Sequence, residues 1–219
     1  MIKKILPITA FFFTVTLFAQ TAHQPRAEQM ATDLLTKASN KLKSFRTMEV
    51  DFTYTMENTS MDIVETMSGK VYSKGDKYRM TLGDNIFISD GETVWNYIDD
   101  MYEIQINYVE NMEGGLTPTA LLDNFGDEYD GRYVRQETYN GKTVDIIDVI
   151  PDTPQSFFKY RIALNASDQM LVFTTAYDRH GGTYTYTLDN TRFNHEISDS
   201  LFEFNRSDFP LDADVIDLR

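Results

Sequence analysis

The stretch from residue 48 to residue 57 alternates strictly between apolar and polar side chains, reading Met-Glu-Val-Asp-Phe-Thr-Tyr-Thr-Met-Glu. Successive side chains of a β-strand point to opposite faces, so this period of two predicts a strand with one buried face and one wet face. The same signature recurs along the chain as far as Phe204. We therefore expect one large antiparallel sheet whose apolar face must be covered.

Short turn signals such as Asn140-Gly141 and Gly181-Gly182 divide the chain into strand-like segments, which suggests a meander. The segments are 48–57, 62–73, 77–82, 85–89, 92–98, 101–108, 131–138, 142–150, 156–164, 169–178, 182–189 and 202–205. A twisted sheet of this size tends to curl because it cannot stay flat. The predicted fold class is mainly β with an α lid, in which a large curved antiparallel sheet forms an open half β-barrel.

Two helices are expected to cover the sheet. The first has an apolar stripe at three- and four-residue steps, made of Ala27, Met30, Ala31, Leu34, Leu35, Ala38, Leu42 and Phe45. The second is a short helix inserted over residues 117–125, with Pro118 at its first position, Leu121 and Leu122 on its apolar side and Gly126 as a stop.

The first nineteen residues have the features of a secretory signal peptide. Lys3 and Lys4 precede an apolar run over residues 5–18, and Ala19 is the small residue before the expected cut. An uncleaved anchor helix is the alternative, but the run is short for a membrane span and contains Pro7. We expect residues 1–19 to be removed and residues 20–219 to form a single soluble domain in the periplasm.

The absence of cysteine means that core burial, and not disulfides, must hold this secreted chain together. The sequence has 20 basic and 34 acidic residues, and removing Lys3 and Lys4 leaves 18 basic residues and a net charge of −16. Such a surface repels phosphate backbones and anionic head groups, so a nucleic-acid partner is not expected. A monomer is the expected state.

Catalytic and metal-binding patterns are scarce. The three histidines, His23, His180 and His195, lie in a loose segment, a hairpin tip and a polar loop, and no pair of them has metal-ligand spacing. The carboxylates of the segment 127–130 are better explained as a solvated loop than as an acid/base pair. We expect neither an enzyme nor a cofactor, and an acidic hydrolase is the weakest of the interpretations.

Three stretches resemble the periplasmic outer-membrane lipoprotein carrier family, the LolA-like proteins. The first is a glycine-led strand, a turn and a second strand over residues 69–80, and the second is the hairpin and Trp-x-Tyr strand of residues 89–97. The third is the tail, with Phe-x-Phe at 202–204, a proline at 210 and Asp-Val-Ile at 214–216. Their order and spacing span essentially the whole mature chain.

This resemblance implies an open β-barrel roofed by helices, with a hydrophobic cavity that shields the acyl chains of a lipoprotein. It implies a carrier that receives lipoproteins from an inner-membrane release transporter and passes them to an outer-membrane acceptor. The expected lining lies on the concave face of the sheet and the inner faces of the helices. Its residues are Leu34, Leu35, Val50, Phe52, Tyr54, Met56, Tyr78, Met80, Leu82, Ile86, Ile88, Trp95, Tyr97, Leu121 and Leu122.

One turn departs from the family pattern. Where the family commonly carries an Arg-Pro pair that contributes to lid closure and ligand release, this chain has Lys74-Gly75-Asp76. Lys74 is the candidate replacement cation for release or lid control, although lysine lacks the planar fork of arginine.

A second interpretation of the same fold is a sensor or regulatory domain that binds stray envelope lipids or proteins.

Overall fold

The computed structural model describes residues 24–111, 129–154 and 156–219. Within these residues the chain forms one α-helix, α1 (Gln24–Lys43), and twelve strands. The strands are β1 (Thr47–Asn58), β2 (Ile63–Lys74), β3 (Lys77–Leu82), β4 (Asn85–Ser89), β5 (Thr93–Ile98), β6 (Glu103–Tyr108), β7 (Tyr129–Tyr139), β8 (Lys142–Pro151), β9 (Phe157–Asn165), β10 (Leu171–Asp178), β11 (Gly182–Phe193) and β12 (Asp214–Asp217).

All twelve strands belong to one curved, open sheet in the order β12-β6-β5-β4-β3-β2-β1-β11-β10-β9-β8-β7. The predicted fold class is confirmed: the protein is mainly β, and the sheet does not close into a barrel. The connectivity is not a single meander, because β1–β6 and β7–β11 are two separate meanders that meet where β1 pairs with β11. The edge strands are β12 and β7.

The central strand β1 is paired along its whole length. Its partner β2 is in register from Thr47 opposite Lys74 to Asn58 opposite Ile63. On its other side it pairs with β11, with one irregularity between Asp51 and Phe52. Such a bulge bends a strand and increases the local twist, which favours a curved sheet.

Helix α1 covers one half of the sheet. Its buried stripe, Ala31, Leu35, Ala38 and Leu42, follows the three- and four-residue steps of the sequence pattern and packs on side chains of β7–β11. Beyond the helix end, Phe45 stacks on Phe193 with ring centroids 4.1 Å apart. The predicted first helix is therefore confirmed, although Met30 of the expected stripe is 42% exposed.

The predicted strand at 202–205 is wrong. Phe202 ends a 3-10 turn, Asp199–Phe202, and the last strand is β12, which pairs in parallel with β6 from Asp214 opposite Glu103. An alternation only four residues long does not distinguish a strand from a loop that anchors itself with apolar side chains. Phe202 does the latter, because its side chain is 1% exposed.

The signal peptide of residues 1–19 and the inserted helix at 117–125, with Leu121 and Leu122, lie outside the described residues. In the described parts, no helix has both the length and the apolar character that a membrane crossing requires. The same parts contain no group of three or more histidine or carboxylate side chains able to hold a metal ion.

Candidate functional site

An apolar surface extends from the helix-covered half of the sheet across its centre. Its buried members come from β1, β2, β3 and β4, and half-buried side chains of the same strands and of β11 surround them. We call this set the helix-side cluster: Val50, Phe52, Val71, Met80 and Phe87, with Met48, Tyr54, Tyr78, Leu82, Tyr186 and Leu188 packed against them. Met48 and Leu188 also contact the core under α1, so both regions share one face.

Strand register explains why these side chains meet. Residues directly opposite each other in antiparallel strands point to the same face. Val50 lies opposite Val71, Val71 opposite Met80, and Met80 opposite Phe87. One row of apolar side chains therefore crosses four strands on the helix-covered face.

A glycine makes room for the largest member of the cluster. A Cβ atom at Gly69 would lie 2.2 Å from Cζ of Phe52, so the Phe52 ring occupies the space that any other side chain would need. Phe52 lies opposite Gly69 in the β1–β2 pairing and is 1% exposed. Gly69 thus opens the strand surface so that the aromatic ring can lie flat against it.

The cluster has a buried floor and a more accessible surface. Phe52 and Met80 are each 1% exposed, whereas Tyr54, Tyr78 and Leu82 are half-buried. Among the other predicted lining residues, Met56 is half-buried on the same face of β1, and Leu34 and Leu35 belong to the core between α1 and the sheet. The half-buried side chains of β1 and β3 are therefore the part of the cluster that is accessible to a hydrophobic ligand.

The tyrosines of the cluster lie in an apolar environment. Burial raises the pKa of Tyr54 to about 12, with smaller contributions from Tyr186 and other neighbours. Burial also raises the pKa values of Tyr78 and Tyr186 above their ordinary value. Desolvation disfavours the charged phenolate, so these hydroxyl groups stay neutral throughout the physiological pH range.

Four predicted lining residues lie on the opposite face of the sheet. Met80 is paired with Phe87, which places Ile86 and Ile88 on the other side of β4. Ile88 is paired with Trp95 and Ile86 with Tyr97, so these two residues of β5 share that opposite face. The expectation that all four share one lining with Met80 is corrected. The segment 85–89 has apolar side chains on both faces, and so alternation does not choose between them.

The segment between β11 and β12, residues 194–213, covers these residues, and we call it the C-terminal segment. Ile88, Tyr97 and Ile104 form a buried cluster with Phe209 and Ala213. Around it lies a larger aromatic stack, in which Trp95 and Phe204 have ring centroids 5.3 Å apart and nearly parallel planes. The apolar side of the sheet therefore changes face between β3 and β5.

Phe87 is one of five cluster residues that are absent from the predicted lining, the others being Met48, Val71, Tyr186 and Leu188. It is 8% exposed and is the last apolar residue of the row that crosses the helix-covered face. The pairing of Tyr78 with Ser89, and not with Ile88, fixes this register. No signal within the segment itself reveals this, because the register follows from the length of the β3–β4 turn.

Lys74 holds the β2–β3 turn against the C-terminal segment. Its Nζ atom donates to the carbonyl oxygen of Ile197 at 3.2 Å and lies 3.3 Å from a carboxylate oxygen of Asp199. Lys77 also approaches Asp199, at 3.7 Å. These described contacts do not involve α1, so a role of Lys74 in closing a lid remains a prediction.

A buried carboxylate joins three strands on the face opposite α1. Glu49 of β1 accepts from Lys70 of β2 at 3.0 Å and from Arg192 of β11, and its side chain is 7% exposed. The hydrogen bond from Arg192 and then that from Lys70 lower the pKa of Glu49 to about 2, against the opposing effect of burial. Lys70 also lies 2.9 Å from Asp51.

This architecture defines a class of open antiparallel sheets with an apolar face that one helix covers in part. The sequence profile of the family described as outer membrane lipoprotein carrier protein LolA matches residues 43–205. The chain belongs to this family, and the resemblance in its motifs is confirmed.

Relatives align along most of the chain. The outer-membrane lipoprotein carrier protein of Nitrosospira multiformis is 24% identical over 213 residues, covering 94% of this chain and 95% of its own. That of Haemophilus influenzae strain PittEE is 28% identical over 178 residues, covering 78% of this chain and 82% of its own. An uncharacterised conserved protein from Thermus thermophilus shares the fold, with a TM-score of 0.55 and 13% identity over 86% of this chain and 99% of its own.

Proposed function

We propose that this protein is a non-catalytic carrier that shields the acyl chains of lipoproteins in the periplasm. The observation that carries the proposal is the helix-side cluster, which continues across β11, β1, β2, β3 and β4 beyond the core under α1. Relatives of similar length carry the name outer-membrane lipoprotein carrier protein. The half-buried residues Tyr54, Met56, Tyr78 and Leu82 are the proposed first contacts of the cargo.

Hydration energetics explain why such a carrier is needed. Burying one methylene group contributes about 0.8 kcal/mol, so a sixteen-carbon chain in water carries on the order of 12 kcal/mol of unfavourable hydration. Unaided transfer between two membranes is therefore negligible. A carrier must bind through many weak apolar contacts, because it has to release its cargo as well as hold it.

In this proposal the protein receives lipoproteins from a release transporter of the inner membrane and delivers them to an acceptor at the outer membrane. The formal net charge of −14 opposes adsorption on anionic lipid surfaces, which favours transfer through protein partners. A domain that senses stray lipids or envelope proteins would use the same face and is the competing function.

Mass spectrometry of the protein purified from its host distinguishes these functions. We expect a co-purified lipid or lipoprotein with two or three acyl chains. A stably bound protein partner without lipid would favour the sensor. Recovery of neither, together with failure to take up lipopeptide from vesicles, would contradict the carrier.

Substitutions at two adjacent positions of β3 test whether the cargo binds to the helix-covered face of the sheet. We expect Leu82→Glu to weaken uptake of an acylated lipopeptide about tenfold or more, because the loss of one buried leucine contact costs about 1.5–3 kcal/mol. Thr81→Glu is the matched control, since Thr81 points to the opposite face next to Leu82. Equal uptake by both variants would remove this face from the binding site.

A further inference from the structure

Strand β2 extends well beyond its neighbour β3. All of β2 is paired with β1, but β3 pairs only with residues 69–74. The β3–β4 turn ends this pairing, because Gly83 donates its backbone N–H to the carbonyl oxygen of Ser68 at 3.1 Å. Beyond that bond, no strand of the described chain is paired with residues 63–67 on this side. We call these residues the free β2 edge.

The main-chain groups of the free β2 edge point away from β1 at every second residue. In a β-strand, the N–H and C=O of one residue point to the same side, and those of the next residue point to the other side. The carbonyl oxygen of Ser68 points towards β3, and the register of β2 with β1 is unbroken. The N–H and C=O groups of Thr66 and Val64 therefore point to the side on which the described chain has no strand.

The free β2 edge lacks the features that protect the two outer strands of the sheet. Strand β12 has four residues with Asp214 and Asp217 at its ends, and β7 has a register shift between Tyr133 and Arg135. Short length, charges and bulges are the usual means by which a sheet edge avoids pairing. Residues 63–67 contain no proline and no lysine, and their described pairing with β1 has no register shift. This edge is therefore open to an added strand.

The side chains of the free β2 edge define the chemistry of a matching strand. Met67 is paired with Tyr54 of the helix-side cluster, so Ile63, Glu65 and Met67 point to the helix-covered face. Val64 points to the opposite face and is 67% exposed. Directly opposite side chains stabilise a pair of strands when both are apolar or when their charges are opposite. A matching strand therefore has apolar side chains on both sides of a basic one, which lies opposite Glu65.

The charges around this edge disfavour a second copy of the chain as the added strand. Residues 57–67 contain three carboxylates and neither lysine nor arginine, and Asp84 of the β3–β4 turn is exposed beside them. Arg179 lies in the β10–β11 turn, from which β1 separates the edge. An antiparallel dimer centred on this segment would place Glu65 opposite Glu65 of the other copy, and each copy has a formal net charge of −14. A basic segment is attracted instead.

We propose that the free β2 edge binds an extended segment of a partner protein as an additional antiparallel strand, in which apolar side chains flank a basic one. The main chains of Val64 and Thr66 supply the hydrogen bonds, and the side chains of Ile63, Glu65 and Met67 supply the sequence preference. The inference concerns a docking surface for a protein and does not depend on the proposed binding of acyl chains.

A pair of peptides tests whether the main chain is used. The probe is Lys-Ile-Thr-Lys-Val-Ile-Lys with blocked ends, and isothermal titration calorimetry measures its affinity for the purified protein. In antiparallel register its third and fifth residues lie opposite Thr66 and Val64 and exchange hydrogen bonds with them. N-methylation of these two peptide nitrogens removes both donors without changing the charge, so we expect binding to weaken about tenfold or more. Equal affinity of the two peptides would overturn the inference, because charge attraction alone would explain it.

The variant Thr66→Pro tests the same edge from the protein side. Proline has no N–H and its ring blocks an approaching strand, but an edge tolerates proline where the N–H faces solvent. We expect this variant to bind the peptide about tenfold more weakly or worse, and Thr66→Ala, which keeps the N–H, to stay within about twofold of the unaltered protein. Unchanged affinity of Thr66→Pro would contradict the inference. If this variant does not fold, the pair of peptides still decides.

Two further measurements test the chemistry of the partner. Replacing the central lysine of the peptide by glutamate should weaken binding to the unaltered protein and strengthen binding to Glu65→Lys, and equal affinities would overturn the preference for a basic segment. Sedimentation velocity of the protein alone should show a monomer. A dimer that Thr66→Pro dissociates would overturn the partner segment in favour of a second copy of the chain.

Discussion

At the residue scale, the contact between Phe52 and Gly69 is the tightest constraint on the helix-side cluster. A methyl group at position 69 would meet the Phe52 ring at 2.2 Å, and this ring is only 1% exposed, so it has to shift within the packed core. We expect Gly69→Ala to lower the free energy of unfolding by about 1–3 kcal/mol, as over-packing of a core commonly does. Urea denaturation measures this change.

A double-mutant cycle identifies the cause of that loss. Phe52→Leu alone should destabilise the protein by leaving a void, but combined with Gly69→Ala it should cost less than the sum of the two single changes. Ser68→Ala, at the exposed neighbouring position, serves as the control. Strictly additive effects would show that the ring and the glycine do not act as a pair.

At the element scale, the buried carboxylate of Glu49 joins β1 to both of its neighbours. Its pKa of about 2 lies below the ordinary value of 4.5, so the contact stabilises the fold above pH 4.5 and loses this effect as the pH falls towards 2. We expect Glu49→Gln to lower the melting temperature at pH 6, with the difference from the unaltered protein shrinking towards pH 2. Thermal unfolding followed by circular dichroism across this range provides the measurement.

The matched variant for this titration is Asp51→Asn. Asp51 also lies 2.9 Å from Lys70, but the substitution Asp51→Asn leaves the contacts of Glu49 with Arg192 and Lys70 in place. Its melting temperature should therefore follow the acid dependence of the unaltered protein. A constant difference between Glu49→Gln and the unaltered protein from pH 6 to pH 2 would contradict this account of the pH dependence.

The sequence predicts most elements of this fold because their local patterns are strong. Segments 77–82 and 85–89 match β3 and β4, and the apolar stripe of α1 matches its buried face. The segment at 202–205 failed because apolar anchors in a loop imitate a short strand. The parallel pairing of β12 with β6 is a long-range contact between short segments, which periodicity does not encode.

Prediction of the site was weaker because it depends on which side chains of each strand lie on the helix-covered face. The face of β1 follows from its clear alternation, so Val50 and Phe52 were correctly grouped with Met80. β4 has apolar side chains on both faces, and the prediction assigned Ile86 and Ile88 to the helix-covered face in place of Phe87. Because Trp95 and Tyr97 are paired with these two isoleucines, they were assigned to the wrong face as well. An ambiguous face in β4 thus led to a wrong prediction of the face in β5.

At the scale of the whole molecule, two of the apolar regions of the sheet have different occupants. The helix-side cluster is the proposed cargo surface, whereas the opposite face of β4, β5 and β6 is covered by the chain's own C-terminal segment. Trp95, the single tryptophan of the chain, belongs to the covered region and stacks on Phe204. The fluorescence of Trp95 therefore reports on the covered region and not on the helix-side cluster.

Quenching of tryptophan fluorescence by acyl chains that carry bromine tests the central claim most directly. In the unaltered protein, a bound brominated lipopeptide should quench Trp95 weakly, because the sheet lies between the indole and the cargo. In the double variant Trp95→Phe with Tyr78→Trp, the indole lies on the helix-side cluster, and we expect strong quenching. Strong quenching of Trp95 together with weak quenching of the double variant would contradict the assignment of the cargo to the helix-covered face.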